Sequence, residues 1–522
     1  MKVERTRNAS RNIIYGVILK TIQIVFPFLM RTAMTYFIGI KYLGLNSLFT
    51  SILQVLNLAE LGVGSAMVYS MYKPISEDDT NTICTLMHLY RLYYRIIGFV
   101  VLISGMILLP FLPRLIRSDV PEGINIYVLY LLNLAATVLS YWLFAYKNSL
   151  LDAHQRRDIS SKISTLTALL QYGVQFLVLG LFKSYYLFVI VMLFTQMLTN
   201  VLTAVVVTKM YPDYKPEGNL PKEEVKKINQ RIRDLFTSKI GAVVVNSADT
   251  IVVSAFLGLT TLAIYQNYYY ILTAVIGFIA IVFSACTAGI GNSLIVETKE
   301  KNYNDLKKFT FLIAWLAGFC SSCFLCMFQP FMKLWMGEEN MLPFSAVICL
   351  VIYYFVYEIN QLMNTYKDAG GIWRKDRFRP LVTAATNLGL NLIMVQFWGI
   401  YGVLLSTVLS TVLVGMPWLL HNLFTELFEK KYLKPYLLAL LGYQGIAVFA
   451  CVSCYVLCNI VALPLIPQLI LNFLICLIVC NFLFFLCFHK KQEFYEILAL
   501  IDKMSKNKLH LTAVFNKKGD HS

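Results

Sequence analysis

The chain has 522 residues, of which 58% are apolar and only 14% carry a charged side chain, against roughly 25% in soluble domains. Its mean hydropathy is +0.64 and its formal net charge is +16. This composition excludes an ordinary soluble protein. The long apolar runs with internal Gly and Pro exclude a membrane β-barrel, whose strands alternate in polarity at every second residue.

Membrane-spanning helices are the first predicted elements. A helix needs about 20 apolar residues to cross the ~30 Å hydrocarbon core of a bilayer. Runs of this kind occupy residues 13–37, 44–70, 88–112, 125–147, 161–182, 185–208, 236–258, 262–292, 309–332, 343–366, 380–397, 401–425, 435–458 and 466–488. We therefore predict an all-α polytopic membrane protein with about fourteen transmembrane helices. The first run is followed by no small-residue cleavage site, so we predict a retained helix rather than a signal peptide.

The basic residues indicate the orientation of these helices. Most of the 45 Lys and Arg residues fall in alternate loops, together with the two ends of the chain. The remaining loops hold only Lys41, Arg114, Arg117, Lys183 and Lys333. Cytoplasmic loops are the ones that carry such an excess, so both termini are predicted to be cytoplasmic. The location of basic residues in the predicted cytoplasmic loops accounts for the positive net charge. No motif for binding nucleic acid is visible.

The longest inner loop, 209–235, divides the chain. Pro221 suits the first turn of a helix, and Val225, Ile228, Ile232 and Leu235 then share one apolar face. An amphipathic helix on the inner membrane surface is predicted there. The predicted domains are an N-lobe at 1–208, this linker at 209–235, a C-lobe at 236–425, two further helices at 426–488 and a basic cytoplasmic tail at 489–522. The tail is either a second surface helix or a solvated segment.

A short internal repeat supports the division. Phe37-Ile-Gly-Ile-Lys-Tyr-Leu-Gly-Leu aligns with Phe256-Leu-Gly-Leu-Thr-Thr-Leu-Ala-Ile, and a looser third copy begins at Phe397. In each copy we predict that a helix ends at a glycine and turns directly into the next helix. Repeats of this kind are typical of transporters whose pathway lies between two lobes.

Among the ionisable side chains inside predicted spans, the candidates for a polar pathway are Lys20, Arg31, Glu60, Asp249 and Glu358. An ionised group at the bilayer centre costs from ~3 to over 10 kcal/mol, so such groups favour a partner or a hydrated cavity. Counted at ~1.5 Å per residue from the outer helix ends, Lys20 and Glu60 lie at similar depth, as do Arg31 and Asp249. Each pair is either part of a polar pathway or an ion pair that only packs helices. Glu358 either faces the cavity or extends to the inner interface.

Neutral polar residues repeat inside the same helices. The candidates for a cavity are Asn57, Asn246, Asn267 and Asn387. Hydrogen bonding between helices is the default interpretation of any one of them. Together they would supply the neutral donors and acceptors that a sugar requires, whereas a lipophilic cation requires aromatic rings and carboxylates.

Signals for an enzyme or a metal are weak. Cys320, Cys323 and Cys326 have C-x-x-C-x-x-C spacing, and Cys451, Cys454 and Cys458 are loosely similar. All six lie in apolar helices without His or carboxylate neighbours, where cysteine packs as a small hydrophobic residue. We therefore expect no metal and no cofactor, although coupling to a proton or sodium gradient is compatible with the sequence. No nucleotide-binding or hydrolase motif is present, so a transporter is predicted.

Several segments resemble one family. They are Gly44-Leu-Asn-Ser-Leu-Phe-Thr-Ser-Ile-Leu, Ala59-Glu-Leu-Gly-Val-Gly-Ser-Ala, Tyr72-Lys-Pro, Ser247-Ala-Asp-Thr-Ile-Val-Val-Ser around Asp249, the loop from Tyr366 to Pro380, Asn387, and Gly399-Ile-Tyr-Gly-Val. These motifs, between about residues 10 and 425, resemble the bacterial polysaccharide repeat-unit flippases of O-antigen and capsule synthesis. That family belongs to the multidrug/oligosaccharidyl-lipid/polysaccharide exporter superfamily.

The resemblance implies a fold and a function. The fold would be two six-helix lobes in a V with two additional C-terminal helices. The function would be alternating-access translocation of an undecaprenyl-diphosphate-linked oligosaccharide across the bacterial inner membrane. Lys20 and Arg31 would face its diphosphate. Membrane lipids are implied partners, with a polysaccharide polymerase and a chain-length regulator as further candidates.

Four alternatives stay open at this point. Two share the superfamily: a cation-coupled multidrug exporter, and a lipid II flippase, whose cavity is more heavily charged. The third is a membrane glycosyl polymerase, against which the short outer loops count. The fourth is a scaffold without transport activity, against which the intramembrane charges count.

Overall fold

The computed structural model describes residues 5–116 and 120–504 of the chain. Within these ranges the side chains of 5–10, 13, 238, 239, 242, 246, 282, 284, 285, 288, 500, 501, 503 and 504 are not described. All regular secondary structure in the described ranges is helical, which confirms the predicted all-α class. The chain packs as two compact units, Met1–Gln266 and Asn267–Ser522.

The first unit contains ten helices in the part that the structure describes, and the start of an eleventh. They are α1 (Arg5–Phe37), α2 (Ile40–Leu56), α3 (Val63–Ser76), α4 (Thr80–Leu108), α5 (Leu112–Leu115), α6 (Ile126–Trp142), α7 (Asn148–Ala153), α8 (Arg157–Phe182), α9 (Tyr185–Met210), α10 (Lys222–Leu257) and α11 (Leu259–Val296). Helix α1 packs on α8, α8 on α9, α6 on α4 and α9, and α10 on α2 and α3.

The second unit continues from α11. Its further helices are α12 (Lys299–Met336), α13 (Phe344–Ala369), α14 (Trp373–Asp376), α15 (Arg379–Trp398), α16 (Ile400–Ser410), α17 (Met416–Glu426), α18 (Leu433–Cys458), α19 (Leu465–Phe488) and α20 (Gln492–Met504). Helix α12 is the centre of this unit and contacts α13, α18, α19 and α20.

Twelve helices in the described residues are long and apolar enough to cross a membrane, and a thirteenth span results if a bent pair, Ile126–Trp142 with Ala145–Ala153, is one span. These thirteen coincide with thirteen of the fourteen predicted runs. The remaining run, 236–258, contains the shorter apolar helix Val243–Leu257. The protein is therefore a multi-pass membrane protein, whereas the count of fourteen and the orientation of the termini stay predictions.

Glycine makes the tight turns that the repeat predicts. Gly39 joins α1 to α2 at φ 104°, Gly258 joins α10 to α11 at φ 89°, and Gly399 joins α15 to α16 at φ 55°. These backbone angles cost a residue with a Cβ atom strain that glycine avoids. A different constraint acts at Gly44 in α2, where a Cβ atom would lie 2.2 Å from the backbone oxygen of Leu259. The prediction of direct helix-to-helix turns is confirmed.

Two spans of the first unit are broken by irregular backbone. The span that starts with α2 changes to a 3₁₀ turn at Asn57–Glu60, passes Gly62 at φ 89° and resumes as α3. The span that starts with α6 ends at Trp142, passes Phe144 at φ 59° and bends by 48° into α7. Irregular backbone at membrane depth is tolerated where it lines a polar cavity or is buried in protein. Both breaks therefore mark one region of the first unit.

The linker and the tail each contain a helix, which in the linker follows a non-helical stretch at 211–221. Helix α10 begins after Pro221 as predicted, but it is continuous with the following apolar run. Its Ile228 is buried, and Arg231 lies over the ring of Tyr69 at 4.7 Å from the centroid. The linker helix thus packs on the first unit. In the tail, α20 docks on α12, where Lys307 and Glu493 approach to 3.0 Å, and residues after 504 lie outside the described part.

A buried ion pair holds one end of the second unit. The guanidinium of Arg379 donates to both oxygens of Asp376, at 2.7 and 2.8 Å, and to the Asn364 side-chain oxygen at 2.8 Å. The Asn422 amide donates to the same carboxylate at 3.0 Å. Asp376 is 2% exposed and Arg379 is 6% exposed. This network connects the end of α13, the short α14, the start of α15 and α17.

Candidate functional site

A cavity of about 750 Å³ lies within the first unit, next to both broken spans. Helices α3, α4, α6, α7, α8 and α9 and the Asn57–Glu60 turn contribute to its wall. The polar and aromatic side chains that line it are Asn57, Glu60, Ser65, Tyr69, Tyr72, Tyr90, Tyr94, Ser140, Tyr141, Asn148, Ser149, Asp152, Arg157, Gln196 and Asn200. Apolar lining residues are few, so this is a polar chamber inside a helical membrane protein.

Glu60 is the centre of a chain of hydroxyl groups. Tyr141 donates to one carboxylate oxygen at 2.9 Å, and Tyr94 donates to the other oxygen. Tyr90 in turn donates to the Tyr94 hydroxyl at 2.9 Å. Hydrogen bonds to an ionised acceptor are worth ~1.5–3 kcal/mol each. The 3₁₀ turn and the two neighbouring helices therefore position Glu60 through its tyrosine partners.

The other carboxylate of the wall is also occupied. Arg157 donates to Asp152 at 2.8 Å, and with 68% and 33% of their side chains exposed this pair lies at the rim. Both oxygens of Glu60 thus accept hydrogen bonds, and Asp152 has a cationic partner. The chamber offers neutral amides and hydroxyls as its main polar groups.

One amide of the wall has spare hydrogen-bonding capacity. The side-chain oxygen of Asn57 is buried and has no hydrogen-bond partner in the described part of the chain. Asn200, by contrast, donates to the backbone oxygen of Ser140 at 2.8 Å and fixes the wall between α6 and α9. An unpartnered amide oxygen beside a chamber of this size is a place where a ligand hydroxyl can donate.

Two tyrosines give the chamber an aromatic edge. Tyr69 and Tyr72 lie one turn apart on α3, and they are 60% and 47% exposed. Their rings meet edge to face with centroids 6.3 Å apart. Exposed tyrosine combines an apolar ring face with a hydroxyl group. The chemistry of this edge suits a ligand that has both hydroxyl groups and apolar ring faces.

The structure brings together two of the predicted site residues, Asn57 and Glu60. It does not pair Lys20 with Glu60: both Glu60 oxygens accept from tyrosines, Lys20 is exposed, and no ion pair joins the two among the described residues. The expectation of that pair from depth alone is wrong, because depth carries no information about which helix faces which. Arg31 and Asp249 are half-buried in the first unit, and their pairing stays a prediction. The side chain of Asn246 lies outside the described residues.

The remaining predicted residues belong to the second unit. Glu358 is 1% exposed, and neither of its oxygens has a hydrogen-bond partner in the described part of the chain. It therefore does not extend to the inner interface, which removes that alternative. Asn267 and Asn387 are fully buried. Asn387 donates to the Thr407 hydroxyl at 2.9 Å, so it joins α15 to α16.

Sequence reasoning missed the tyrosines that hold Glu60. Tyr90 and Tyr94 are one helical turn apart, and this spacing was visible in the sequence as a polar stripe on an apolar helix. Tyr141 carried no such signal, because it comes from another helix and reaches Glu60 only after the chain folds. Asp152, Gln196 and Asn200 were missed for the same reason.

Comparisons with known proteins agree on the family and the fold. A family model described as "Polysaccharide biosynthesis protein" matches residues 9–288, and no curated protein matches the sequence. Among solved structures, the lipid II flippase MurJ in an inward closed conformation has a TM-score of 0.65 at 14% identity, covering 91% of this chain and 99% of that one. An inward-facing multidrug resistance MATE family transporter of the MOP superfamily has a TM-score of 0.60 at 17% identity, covering 81% and 99%.

At these identities the structural likeness shows the fold alone. The family match covers more than half of the chain, including both broken spans and every residue that lines the chamber. The chain therefore belongs to the polysaccharide biosynthesis protein family and has the fold of the MOP-superfamily transporters.

Proposed function

We propose that the protein is a flippase that moves a lipid-linked oligosaccharide across the membrane for surface polysaccharide synthesis. The substrate would be an undecaprenyl-diphosphate-linked repeat unit of O-antigen or capsule type. Transport would proceed by alternating access, with no covalent chemistry, so the protein would not be an enzyme. Its place would be the bacterial inner membrane, alongside the polymerase and chain-length regulator that use the translocated unit.

The observation that carries this proposal is the chemistry of the chamber. Its wall is built mainly from amides, hydroxyls and tyrosine rings, and the acceptor oxygen of Asn57 has no hydrogen-bond partner in the described part of the chain. A glycan offers many hydroxyl groups of both donor and acceptor type, together with apolar ring faces. Neutral polar groups bind such a ligand without the cost of desolvating an unpaired charge. The chamber volume of about 750 Å³ lies within the range of small-ligand sites, ~300–1,000 Å³.

The lipid diphosphate requires a different kind of contact. Lys20 and Arg31 lie on α1 in a membrane-spanning run, and Arg157 lies at the chamber rim. Lys and Arg side chains bind phosphate oxygens through charge-assisted hydrogen bonds. We assign the diphosphate to these cations and the glycan to the chamber, while the polyprenyl tail stays in the bilayer.

Glu60 is the group through which an ion gradient would act. Its carboxylate is the acceptor for Tyr94 and Tyr141 in a chamber large enough to hold water. Protonation, or binding of a sodium ion, would remove or redirect these two hydrogen bonds. This would loosen the broken α2–α3 span from α4 and α6, which gives a physical link between the gradient and the shape of the chamber.

A multidrug exporter of the same fold is the main alternative. Tyrosine rings and carboxylates also suit a lipophilic cation. However, both oxygens of Glu60 already accept from tyrosines, and Asp152 is paired with Arg157, so a cation would have to displace these partners to contact either carboxylate directly. A lipid II flippase is the second alternative, and it would carry a different lipid-linked glycan through a more heavily charged cavity.

The proposal is tested by the sidedness of lipid-linked glycan in cells depleted of the protein. An impermeant glycosidase would be applied to spheroplasts and to inverted vesicles. We expect the glycan to accumulate on the inner face, and we expect Glu60→Gln and Tyr141→Phe proteins to restore export poorly.

The matched control is Tyr130→Phe. Tyr130 lies on the same helix as Tyr141, but it donates to the backbone oxygen of Gly105 at 3.0 Å and does not line the chamber. This variant should restore export. Normal sidedness together with new sensitivity to cationic drugs would contradict the flippase and favour the exporter.

A further inference from the structure

Three cysteines from three helices meet inside the second unit. Cys326 of α12, Cys458 at the end of α18 and Cys476 of α19 are buried, and their sulfur atoms all lie within 4.8 Å of one another. Cys326 and Cys458 come from the two spaced motifs in the sequence, whereas Cys476 belongs to neither. The cluster therefore arises from the packing of three helices.

Side-chain amides fix the backbone around the cluster. Asn472 donates to the backbone oxygen of Cys326 at 2.9 Å, and Gln468 donates to the backbone oxygen of Cys458 at 3.1 Å. Gln468 also donates to the Asn472 side-chain oxygen at 2.8 Å. These bonds join α19 to both α12 and α18. The positions of the sulfur atoms are thus held by polar contacts as well as by apolar packing.

A cavity borders the cluster. It has a volume of about 420 Å³, and Cys326 and Cys458 form part of its wall together with Gln329, Asn459 and Gln468. Asn459 directly follows α18. The charge pattern predicts that this C-terminal end of the helix lies on the outer side of the membrane. Two of the three cysteines therefore border this cavity, whose lining mixes side-chain amides with apolar groups.

We propose that Cys326, Cys458 and Cys476 form a binding site for a soft monovalent metal ion, with Cu(I) as the best fit. Thiolate ligands select soft ions such as Cu(I), and the group contains sulfur ligands only. A structural zinc site takes four ligands in a tetrahedron, whereas in the described residues this group brings three sulfur atoms within 4.8 Å of one another. Three sulfurs suit the trigonal coordination that Cu(I) accepts.

Charge supports the same choice. When Cu(I) binds, one of the three thiols loses its proton, and the bound ion and the resulting thiolate cancel in charge. Starting from three protonated thiols, the site is neutral before and after binding, and one proton is released to water. A divalent ion would need two thiolates for neutrality, which releases two protons. Because the cluster is buried among membrane-spanning helices, an uncompensated charge would be costly.

Metal binding would join the additional helices to the rest of the second unit. The three ligands come from α12, α18 and α19, so a bound ion closes a bridge between the centre of the unit and its last two spans. This inference is independent of the proposed flippase function. It departs from the sequence-based expectation of no metal, because spacing along single helices does not reveal a cluster made by three.

The test is anaerobic titration of the purified full-length protein with Cu(I) held by a competing chelator, after reduction with a thiol-free reductant. We expect one equivalent to bind. Each of Cys326→Ser, Cys458→Ser and Cys476→Ser should weaken binding at least about tenfold, since each removes one of three ligands. Cys349→Ser is the matched control, because Cys349 is a buried cysteine of α13 outside the cluster, and its binding should be unchanged.

The proton count and the ligand type provide further tests on the unmodified protein. Release of one proton predicts an apparent affinity that rises about tenfold per pH unit. X-ray absorption should show a first shell of sulfur alone. A first shell of nitrogen or oxygen, a disulfide within the reduced cluster, or equal Cu(I) affinity in the cluster variants and Cys349→Ser would each overturn the proposal.

Discussion

Replacing Arg379 by alanine should destabilise the second unit strongly. The substitution removes three donated hydrogen bonds and leaves the Asp376 carboxylate, which is 2% exposed, without its bidentate partner. Breaking a buried pair in this way costs about 3–5 kcal/mol. Asn422 still donates to the carboxylate, and Lys367 lies 3.9 Å away. Because these two groups still interact with the carboxylate, we expect a loss of stability in the lower half of that range.

Two further variants separate the buried charge from other effects. Lys375→Ala breaks the ion pair with Glu426, whose side chains are 62% and 32% exposed, and such surface pairs are worth about 0–1 kcal/mol. The double variant Asp376→Asn/Arg379→Met removes both charges and keeps an acceptor for Asn422. It should recover much of the loss, because no buried charge is left unpaired.

The assay is the folded fraction that survives heating in detergent, measured by gel filtration for the wild type and the three variants. We expect the apparent melting temperature to fall most for Arg379→Ala, little for Lys375→Ala, and by an intermediate amount for the double variant. Equal effects of Arg379→Ala and Lys375→Ala would refute the reasoning. A double variant less stable than Arg379→Ala would show that the loss of stability comes mainly from the lost hydrogen bonds and not from the unpaired carboxylate.

Three further predictions concern packing, pH and a buried acid. Gly44→Ala should reduce the yield of folded protein, because the new Cβ atom would lie 2.2 Å from the Leu259 backbone oxygen. Gly173→Ala is the control and should leave the yield unchanged, because a Cβ atom there would have no neighbour within 4 Å. Equal yields of the two variants would contradict the close approach at Gly44. Burial lowers the pKa of His154 below its ordinary 6.5, so the folded protein binds fewer protons than the unfolded chain below that pH. Stability should therefore fall as pH drops below about 6.5, and His154→Gln should flatten this dependence of the melting temperature. Glu358→Gln should leave the melting temperature unchanged or raise it, because neither Glu358 oxygen has a hydrogen-bond partner in the described residues; a large decrease would indicate an ionised, partnered carboxylate.

The helical class and the positions of the spans were predictable from the sequence. Long apolar runs determine membrane helices because the bilayer core tolerates no unsatisfied backbone groups. The sequence also identified three glycine turns correctly, at Gly39, Gly258 and Gly399. Two consecutive apolar runs with a glycine between them are enough to find such a turn. These features are local, and local patterns are readable in a single sequence.

The partners of polar residues were not predictable in the same way. Glu60 was recognised as a buried acid, but its partners are Tyr94 and Tyr141 rather than Lys20. Depth along the membrane normal was the only coordinate that the sequence provided. The rotation of each helix about its axis, which decides the partner, follows from packing against neighbours.

The same limit explains two other differences. Asn387 was a candidate for a cavity, with hydrogen bonding between helices as the default interpretation, and in the structure it donates to Thr407 between α15 and α16. Cys476 had no motif of its own, yet it completes the cluster with Cys326 and Cys458. In both instances the decisive neighbour lies on another helix. Sequence spacing describes one helix at a time.

The measurement that tests the central claim most directly is glycan flipping by the purified protein. The protein would be reconstituted into liposomes containing a fluorescent polyprenyl-diphosphate oligosaccharide, and an impermeant glycosidase would be added outside. The account predicts that wild-type protein exposes the inner-leaflet pool to the enzyme, whereas Glu60→Gln protein leaves that pool protected. A protected inner pool with folded wild-type protein, under an imposed proton or sodium gradient of either direction, would contradict it.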